Sequence, residues 1–287
     1  WAVFIYTPRG KNHGHSLYQM AQKSNEWFCQ NLTVRDTKRA DGTPVINPDI
    51  IEQERLEGME EALIQQEFYG SFEAQIAGAY FADQIATAKE QGRVSRLPIE
   101  PSLAVHTAWD LGISDAMSIW LFQAIGKEIR LIGYYENNGK GMEHYIQWLN
   151  QYAATNGVML GQHLAPHDIE VRELTSGRSR KDVAREMGIS FRTVQRPRTK
   201  AEGIQAIRRM FPRFWFDEDK AEHGLNCIAS YHREFDEKRN VFRDMPVHDW
   251  SSHGADALQT LALGWQESMI SGRRPQPRVA EVRFSVF

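Results

Sequence analysis

The sequence predicts an α/β fold in which helices flank a mixed β-sheet. Three strand-like runs follow one another at residues 103–110, 118–123 and 128–135. The first run shows the two-residue period of a β-strand, and a short AIGK segment between the other two predicts an antiparallel hairpin. A helix-spaced apolar pattern from Met142 to Ala153 comes next, and another strand follows at residues 158–168. Strands and helices in this order are typical of one α/β layer.

The segment before these strands reads as a strand followed by helices. Residues Ala2–Tyr6 form an apolar run that predicts a buried strand, and His15–Ala21 predict a polar helix. Asp41-Gly42 predicts a turn within a loop. Asn47 followed by Pro48 is a helix N-cap with proline in the first turn, which predicts an acidic helix that reaches about residue 66.

A proline-bearing joint, RLPIEPS at residues 96–102, separates two parts of different pattern. We therefore expect a first unit at residues 1–95, a second at 96–270 and a poorly ordered tail at 271–287. The second unit should end with further elements, namely a helix at 199–211, a strand at 213–216, a helix at 218–232 and a helix at 252–266.

Composition excludes several classes of protein. Apolar residues make up 41% of the chain and charged residues 25%, which is ordinary for a globular protein and argues against disorder or a coiled coil. No apolar run approaches the roughly 20 residues of a membrane span. The two cysteines, Cys29 and Cys227, favour free thiols in a reducing compartment, and no Cys or His arrangement has convincing zinc-site spacing. These features favour a soluble, intracellular protein with no membrane partner.

Three aspartates are the candidate chemical site. Asp110 and Asp168 end two strands that could be neighbours, and Asp256 lies near the start of a late helix. Each acid alone could cap a turn or a helix. Together they could hold a pair of Mg²⁺ or Mn²⁺ ions, because hard oxygen ligands suit these cations and two such ions promote phosphodiester hydrolysis.

Several motifs together resemble the large terminase subunit of tailed bacteriophages. TAWDLGISDAMSIW, APHD followed by a basic stretch, and MPVHDWSSHGADALQTLAL resemble its three nuclease motifs. FIYTPRGKNH resembles the end of its ATPase domain, and QEFYGSFEAQIAGAYF resembles its passage from ATPase to nuclease. The resemblance implies a ribonuclease H-like nuclease domain that is preceded by the remnant of an ATPase domain and a helical linker.

Carried over by position, the resemblance assigns a role to each acid. Asp110 would be shared by two metal ions, with Asp168 on one ion and Asp256 on the other. Asp115 would be an auxiliary acid, and His253 would orient a neighbouring group. The activity implied is endonucleolytic cutting of concatemeric double-stranded DNA during packaging.

A basic block follows Asp168 and provides candidate DNA contacts. Between residues 172 and 213 twelve Arg or Lys stand against four Asp or Glu. Such residues bind backbone phosphates without reading sequence. The candidates are Arg172, Arg178, Arg180, Lys181, Arg185, Arg192, Arg196, Arg198 and Lys200. Solvated helix faces would give the same charge pattern.

The sequence departs from a complete large terminase in one respect. It has no G-x-x-x-x-G-K-[ST] motif, so we expect a C-terminal portion of such a protein, with no ATPase activity of its own and ATP needed only by a full-length protein. The resemblance implies a portal protein and a small terminase subunit as partners in the bacterial cytoplasm. A ring on the portal is possible, and the isolated chain is expected to be monomeric.

Other functions remain open at this stage. Another ribonuclease H-like nuclease, such as a resolvase, would share the acids and the metals but would not explain the upstream segments. A non-catalytic motor component could grip DNA or dock on a portal with purely structural acids. A nucleotide-driven translocase is disfavoured because the P-loop is missing.

Overall fold

The protein is described by a computed structural model that covers residues 1–8, 10, 13–59, 61–72, 78–112, 116–172, 177–236, 241–266 and 269. The helices are α1 (His13–Lys23), α2 (Pro48–Leu56), α3 (Glu61–Glu67), α4 (Ala82–Glu90), α5 (Met142–Asn156), α6 (Arg180–Glu186), α7 (Lys200–Met210), α8 (Glu222–Ser230) and α9 (Trp250–Gly264). The strands are β1 (Val94–Ser95), β2 (Val105–Asp110), β3 (Met117–Ile125), β4 (Glu128–Asn137), β5 (Leu160–Pro166), β6 (Phe191–Val194), β7 (Phe214–Asp217), β8 (Arg233–Asp236) and β9 (Val241–Pro246).

A seven-stranded mixed sheet in the described residues organises the fold. Its strand order is β1-β7-β4-β3-β2-β5-β6. Only β3 runs against its neighbours, because it pairs antiparallel with β2 and β4 while the other pairs in this sheet are parallel. The predicted mixed sheet and the β3–β4 hairpin are therefore confirmed. A separate antiparallel hairpin is formed by β8 and β9.

Helices cover both faces of the sheet, as the alternating strand pattern requires. On one face Trp120 and Phe122 pack with residues of α4, α7, α8 and α9. On the other face Trp109 and Ile119 pack with α5 and α6. Asp110 is two residues beyond Ala108 and therefore lies on the first of these faces, together with α9. The predicted ribonuclease H-like arrangement, a mixed sheet flanked by helices, is confirmed.

Two predicted elements of the first unit are wrong in detail. Residues Ala2–Tyr6 are not a strand, and Val3 and Ile5 are 64% and 92% exposed. The predicted acidic helix is divided into α2 and α3, because Gly58 takes a positive φ of 101° directly after α2. Its N-cap is as predicted, since the Asn47 side chain accepts from the backbone N–H of Asp49.

The predicted division of the chain near residue 95 stays a prediction. The short strand β1, which precedes the joint, pairs in parallel with β7 and so belongs to the main sheet. Arg93 is buried beside it, where its guanidinium donates to the carbonyls of Phe211 and Phe214. Residues 271–287, the predicted tail, lie outside the described residues.

Candidate metal centre

An acid-lined pocket of about 160 Å³ opens where β2 and β5 end. Because β2 and β5 are parallel neighbours, the residues that follow them meet at one edge of the sheet. Helix α9 closes the pocket from one side, and the segment after β6 closes it from another. The pocket is lined by Asp110, Pro166, His167, Asp168, Val194, Gln195, Arg196, Pro197, Lys200, Asp256, Gln259, Thr260 and Leu263.

Asp110 is the last residue of β2, directly after the fully buried Trp109. Although 26% of the Asp110 side chain is exposed, desolvation raises the pKa of this carboxyl group. The neighbouring charge of Asp256 raises it further, whereas His253 and Lys200 act in the opposite direction. His253 Nδ1 is 3.9 Å from Asp110 Oδ2. A carboxylate held in this way is stabilised by any cation that enters the pocket.

Asp256 is presented by the second turn of α9. The helix begins at an N-cap, where the Asp249 side chain accepts from the backbone N–H of Ser251. Asp256 then faces Lys200, the first residue of α7, whose Nζ is 2.9 Å from Asp256 Oδ1 and 3.0 Å from Oδ2. The lysine therefore already provides a positive charge to one of the three acids.

Asp168 lies in a 3-10 turn, His167–Glu170, that directly follows β5. Its side chain is 52% exposed, and the Nε2 atom of His167 is 2.9 Å from Asp168 Oδ1. It is the most open of the three acids, so it can turn toward a ligand at little cost.

The structure thus brings Asp110, Asp168 and Asp256 to one pocket, whereas Asp115 lies outside the described residues. Three carboxylates offer the hard oxygen donors that Mg²⁺ and Mn²⁺ prefer. Burial and the nearby charge of Asp256 both raise the pKa of Asp110, so the ionised acids gain from a cation between them. The residues present therefore fit divalent ions, which Asp110, Asp168 and Asp256 would hold.

The predicted basic block is divided between pocket wall, ion pairs and core. Arg196 and Lys200 line the pocket. Ion pairs join Arg178 to Glu186, Lys181 to Glu170 and Arg185 to Asp182. Arg172 and Arg198 are exposed, and Arg180 is half-buried in the first turn of α6.

Arg192 differs from the other members of the block. Its Nε and one terminal nitrogen are buried and lack a hydrogen-bond partner among the described residues. Burial also lowers the pKa of the Arg192 guanidinium. Arg192 is on β6 and close to Gly264 of α9, so its location suits packing more than contact with an extended polyanion.

Sequence reasoning missed two polar residues of the pocket wall. Gln259 and Thr260 follow Asp256 on α9 and line the same cavity, and the hydroxyl of Thr260 donates to the Asp256 carbonyl. The three-residue spacing of Asp256 and Gln259 on a helix could have indicated a shared face. Lys200 was singled out only for its charge, since its contact with Asp256 joins two helices far apart in sequence.

Fold and pocket together define a ribonuclease H-like α/β protein with a candidate divalent-cation centre. Among solved structures, the full large terminase of a thermophilic bacteriophage is similar, with a TM-score of 0.48 and 15% identity over 89% of this chain and 60% of that one. The P22 large terminase nuclease domain gives a TM-score of 0.44 and 15% identity over 60% of this chain and 88% of its own.

A third similar structure is the large terminase nuclease of the thermophilic phage G20c with bound magnesium. Its TM-score is 0.44 and its identity 12%, over 66% of this chain and 99% of that one. The chain spans about 60% of the length of the first of these three structures. No protein-family model matches the sequence, and no curated protein matches it. These solved structures are of the family whose motifs the sequence resembles.

No helix in the described ranges has both the length and the apolar character needed to cross a membrane. The two cysteines are free thiols, as predicted, and Cys227 is buried in α8.

Proposed function

We propose that this chain is a metal-dependent endonuclease that cuts concatemeric double-stranded DNA for a phage DNA-packaging motor. The observation that supports it most directly is the convergence of Asp110, Asp168 and Asp256 on one pocket at the strand ends. The motif resemblance to large terminases supports the same activity and supplies the biological setting. Portal protein and small terminase subunit are the partners that this setting implies.

Two divalent ions would supply the chemistry, by activating water and stabilising the leaving oxygen of the phosphodiester. Asp110 is the acid best suited to contact both ions, because it ends the central strand of the three that frame the pocket. Asp168 and Asp256 approach from opposite sides, one from the turn after β5 and one from α9. His253 favours the ionised form of Asp110.

DNA would be held chiefly through its phosphates. Arg196 lies at the pocket wall, and Arg172 and Arg198 are exposed nearby in sequence. These guanidinium groups can form charge-assisted, bidentate bonds to phosphate without reading the bases. Binding of this kind should weaken steeply as salt rises.

A plasmid-cleavage assay in Mn²⁺, Mg²⁺ and EDTA tests the proposal. The wild-type chain should nick and then linearise the plasmid only when metal is present. Asp110→Asn should lose cleavage while it still binds DNA by fluorescence anisotropy. Asp219→Asn is the matched control, because Asp219 is an exposed acid that pairs with Arg96 away from the pocket.

The same assay separates the rival functions. A wild-type chain that is folded and binds DNA but never cuts in either metal would overturn the nuclease proposal. It would favour a component that only grips DNA. Cutting restricted to branched DNA junctions would instead favour a resolvase.

A further inference from the structure

A second group of potential metal ligands lies apart from the acid pocket. Glu136 is near the end of β4, and His223 and Cys227 are on α8. One ligand atom from each side chain lies within 4.8 Å of the other two. His223 and Cys227 are four residues apart on one helix, so both project from the same side toward Glu136.

Neighbouring groups already hold these three side chains in place. The Tyr134 hydroxyl donates to Glu136 Oε2, and His223 Nε2 is 3.7 Å from the same oxygen. The imidazole of His223 stacks on Trp250 with an interplanar angle of 23°. The Cys227 thiol lies 3.8 Å from the carbonyl oxygen of Trp250, to which it donates.

The space around the thiol depends on a glycine. A Cβ atom at position 254 of α9 would meet Cys227 Cβ at 2.6 Å and Cys227 Sγ at 3.2 Å. Only glycine therefore lets α9 approach α8 so closely at this point. The cluster consequently joins three elements, namely β4, α8 and the first turns of α9.

We infer that Glu136, His223 and Cys227 form a binding site for one zinc ion. A thiolate, an imidazole and a carboxylate together select a borderline-soft cation such as Zn²⁺ and do not suit Mg²⁺. Three protein ligands leave the fourth tetrahedral position for water. Zinc bonds of about 2.0–2.3 Å require donor atoms about 3.3–3.8 Å apart, so the three side chains need to close by about 1 Å.

This site is distinct from the acid pocket. None of its three residues lines that pocket. Across the sheet, Asp110 pairs with Ser118 and Ser118 pairs with Glu136, so one strand separates the two clusters. Zinc at this position would brace α9, the helix that carries Asp256, against α8 and the sheet.

The sequence pattern did not reveal this site. Glu136 is far from the other two ligands along the chain, and the His223–Cys227 pair alone lacks a second pair of zinc-type ligands. The pairing of β4 with β7, directly before α8, is what brings them together.

Zinc titration by calorimetry, in the full chain that carries Asp110→Asn, Asp168→Asn and Asp256→Asn together, tests the proposal. This background removes the acid pocket as a competing site. We expect one zinc ion per chain, and Cys227→Ser or Glu136→Gln should weaken its binding by at least about 100-fold, above the effect of losing an outer hydrogen bond to a ligand. Cys29→Ser is the matched control and should bind zinc as its parent does, since Cys29 lies outside the cluster.

Cobalt substitution provides a second readout that does not depend on a variant. Co²⁺ bound at this site should show thiolate-to-metal charge-transfer absorption and the visible bands of a tetrahedral ion. Circular dichroism would confirm that each variant is folded. The proposal is overturned if the parent protein binds no zinc, if Cys227→Ser binds it as tightly as the parent, or if bound cobalt shows no thiolate band.

Discussion

The ammonium group of Lys200 bridges the carboxylate of Asp256, with Nζ 2.9 Å from Oδ1 and 3.0 Å from Oδ2. This ion pair joins the first residue of α7 to the second turn of α9 across the candidate metal pocket. A divalent ion that uses Asp256 as a ligand therefore has to displace the lysine or share the carboxylate with it. Lys200 is thus a competitor for the cation as well as a candidate phosphate contact.

Replacing Lys200 should strengthen metal binding. Lys200→Met removes the competing charge, and a partly exposed ion pair contributes up to about 1 kcal/mol, so Mn²⁺ affinity should rise about two- to fivefold. Calorimetric titration with Mn²⁺ measures the change. Lys181→Met is the control, because Lys181 pairs with Glu170 and does not line the pocket. An unchanged or weaker Mn²⁺ affinity for Lys200→Met would contradict this account of Lys200.

Arg196 is expected to contribute one phosphate contact. Arg196→Gln should reduce the slope of log affinity against log salt by about one, and the loss of affinity should be similar for unrelated DNA sequences. Fluorescence anisotropy at several salt concentrations, with EDTA present, measures this slope. Arg96→Gln serves as control, because Arg96 is equally basic but pairs with Glu218 and Asp219 beside β1. Equal slopes for the two variants would remove Arg196 from the DNA interface.

Packing between α8 and the sheet should be intolerant of a single methyl group. A Cβ at Gly224 would meet two ring carbons, at 2.4 Å on Trp120 and 2.7 Å on Tyr134. Gly224→Ala should therefore lower the free energy of unfolding by about 1–3 kcal/mol. Thermal unfolding measures the difference.

Gly203 of α7 provides the comparison for this substitution. Its added Cβ would meet chiefly the flexible end of the Gln259 side chain, which can move, and alanine favours the helix by up to about 1 kcal/mol. Gly203→Ala should consequently be close to neutral. If both alanine variants unfold at the wild-type temperature, the close contact of α8 with Trp120 is wrong.

Two buried histidines should make stability depend on pH. Burial lowers the pKa of His106 and of His163 to about 4 from the usual 6.5. Between these values the unfolded chain binds a proton that the folded chain does not. Stability is therefore complete above about pH 6.5 and falls as the pH drops toward 4, by up to about 1.4 kcal/mol per pH unit for each histidine.

Denaturant unfolding at several pH values between 4 and 7.5 measures this dependence. His163→Asn should keep a hydrogen bond to the hydroxyl of Thr107, which lies 2.7 Å from His163 Nδ1, and should reduce the slope by about half. His13→Asn changes an exposed residue and should leave the slope as it is. A wild-type chain with constant stability across this range would show that the two histidines do not stay neutral in the fold.

Local patterns were sufficient to predict most of the sheet and the three acids. The alternation that ends at Asp110 and the helix end at Asn156-Gly157 are written in neighbouring residues, and Gly157 takes the expected left-handed conformation. Because β2 and β5 are parallel neighbours, two acids at their ends share one pocket. The roles assigned to these acids remain predictions.

Features that depend on distant contacts were missed or wrong. Residues Ala2–Tyr6 have a strand-like composition but pair with no strand in the described part of the chain, and a strand without a partner is not stable. Helix α6 could have been predicted, since Ser179 and Asp182 form a capping box at its start. The ion pair of Lys200 with Asp256 joins separate helices, so no local pattern indicates it.

Anomalous diffraction from crystals of the wild-type chain soaked in Mn²⁺ tests the central claim most directly. The account predicts two manganese peaks about 3.5–4 Å apart, bound by the carboxylates of Asp110, Asp168 and Asp256, with Lys200 moved away from Asp256. No manganese peak in this pocket, or a peak only at Glu136, His223 and Cys227, would contradict it.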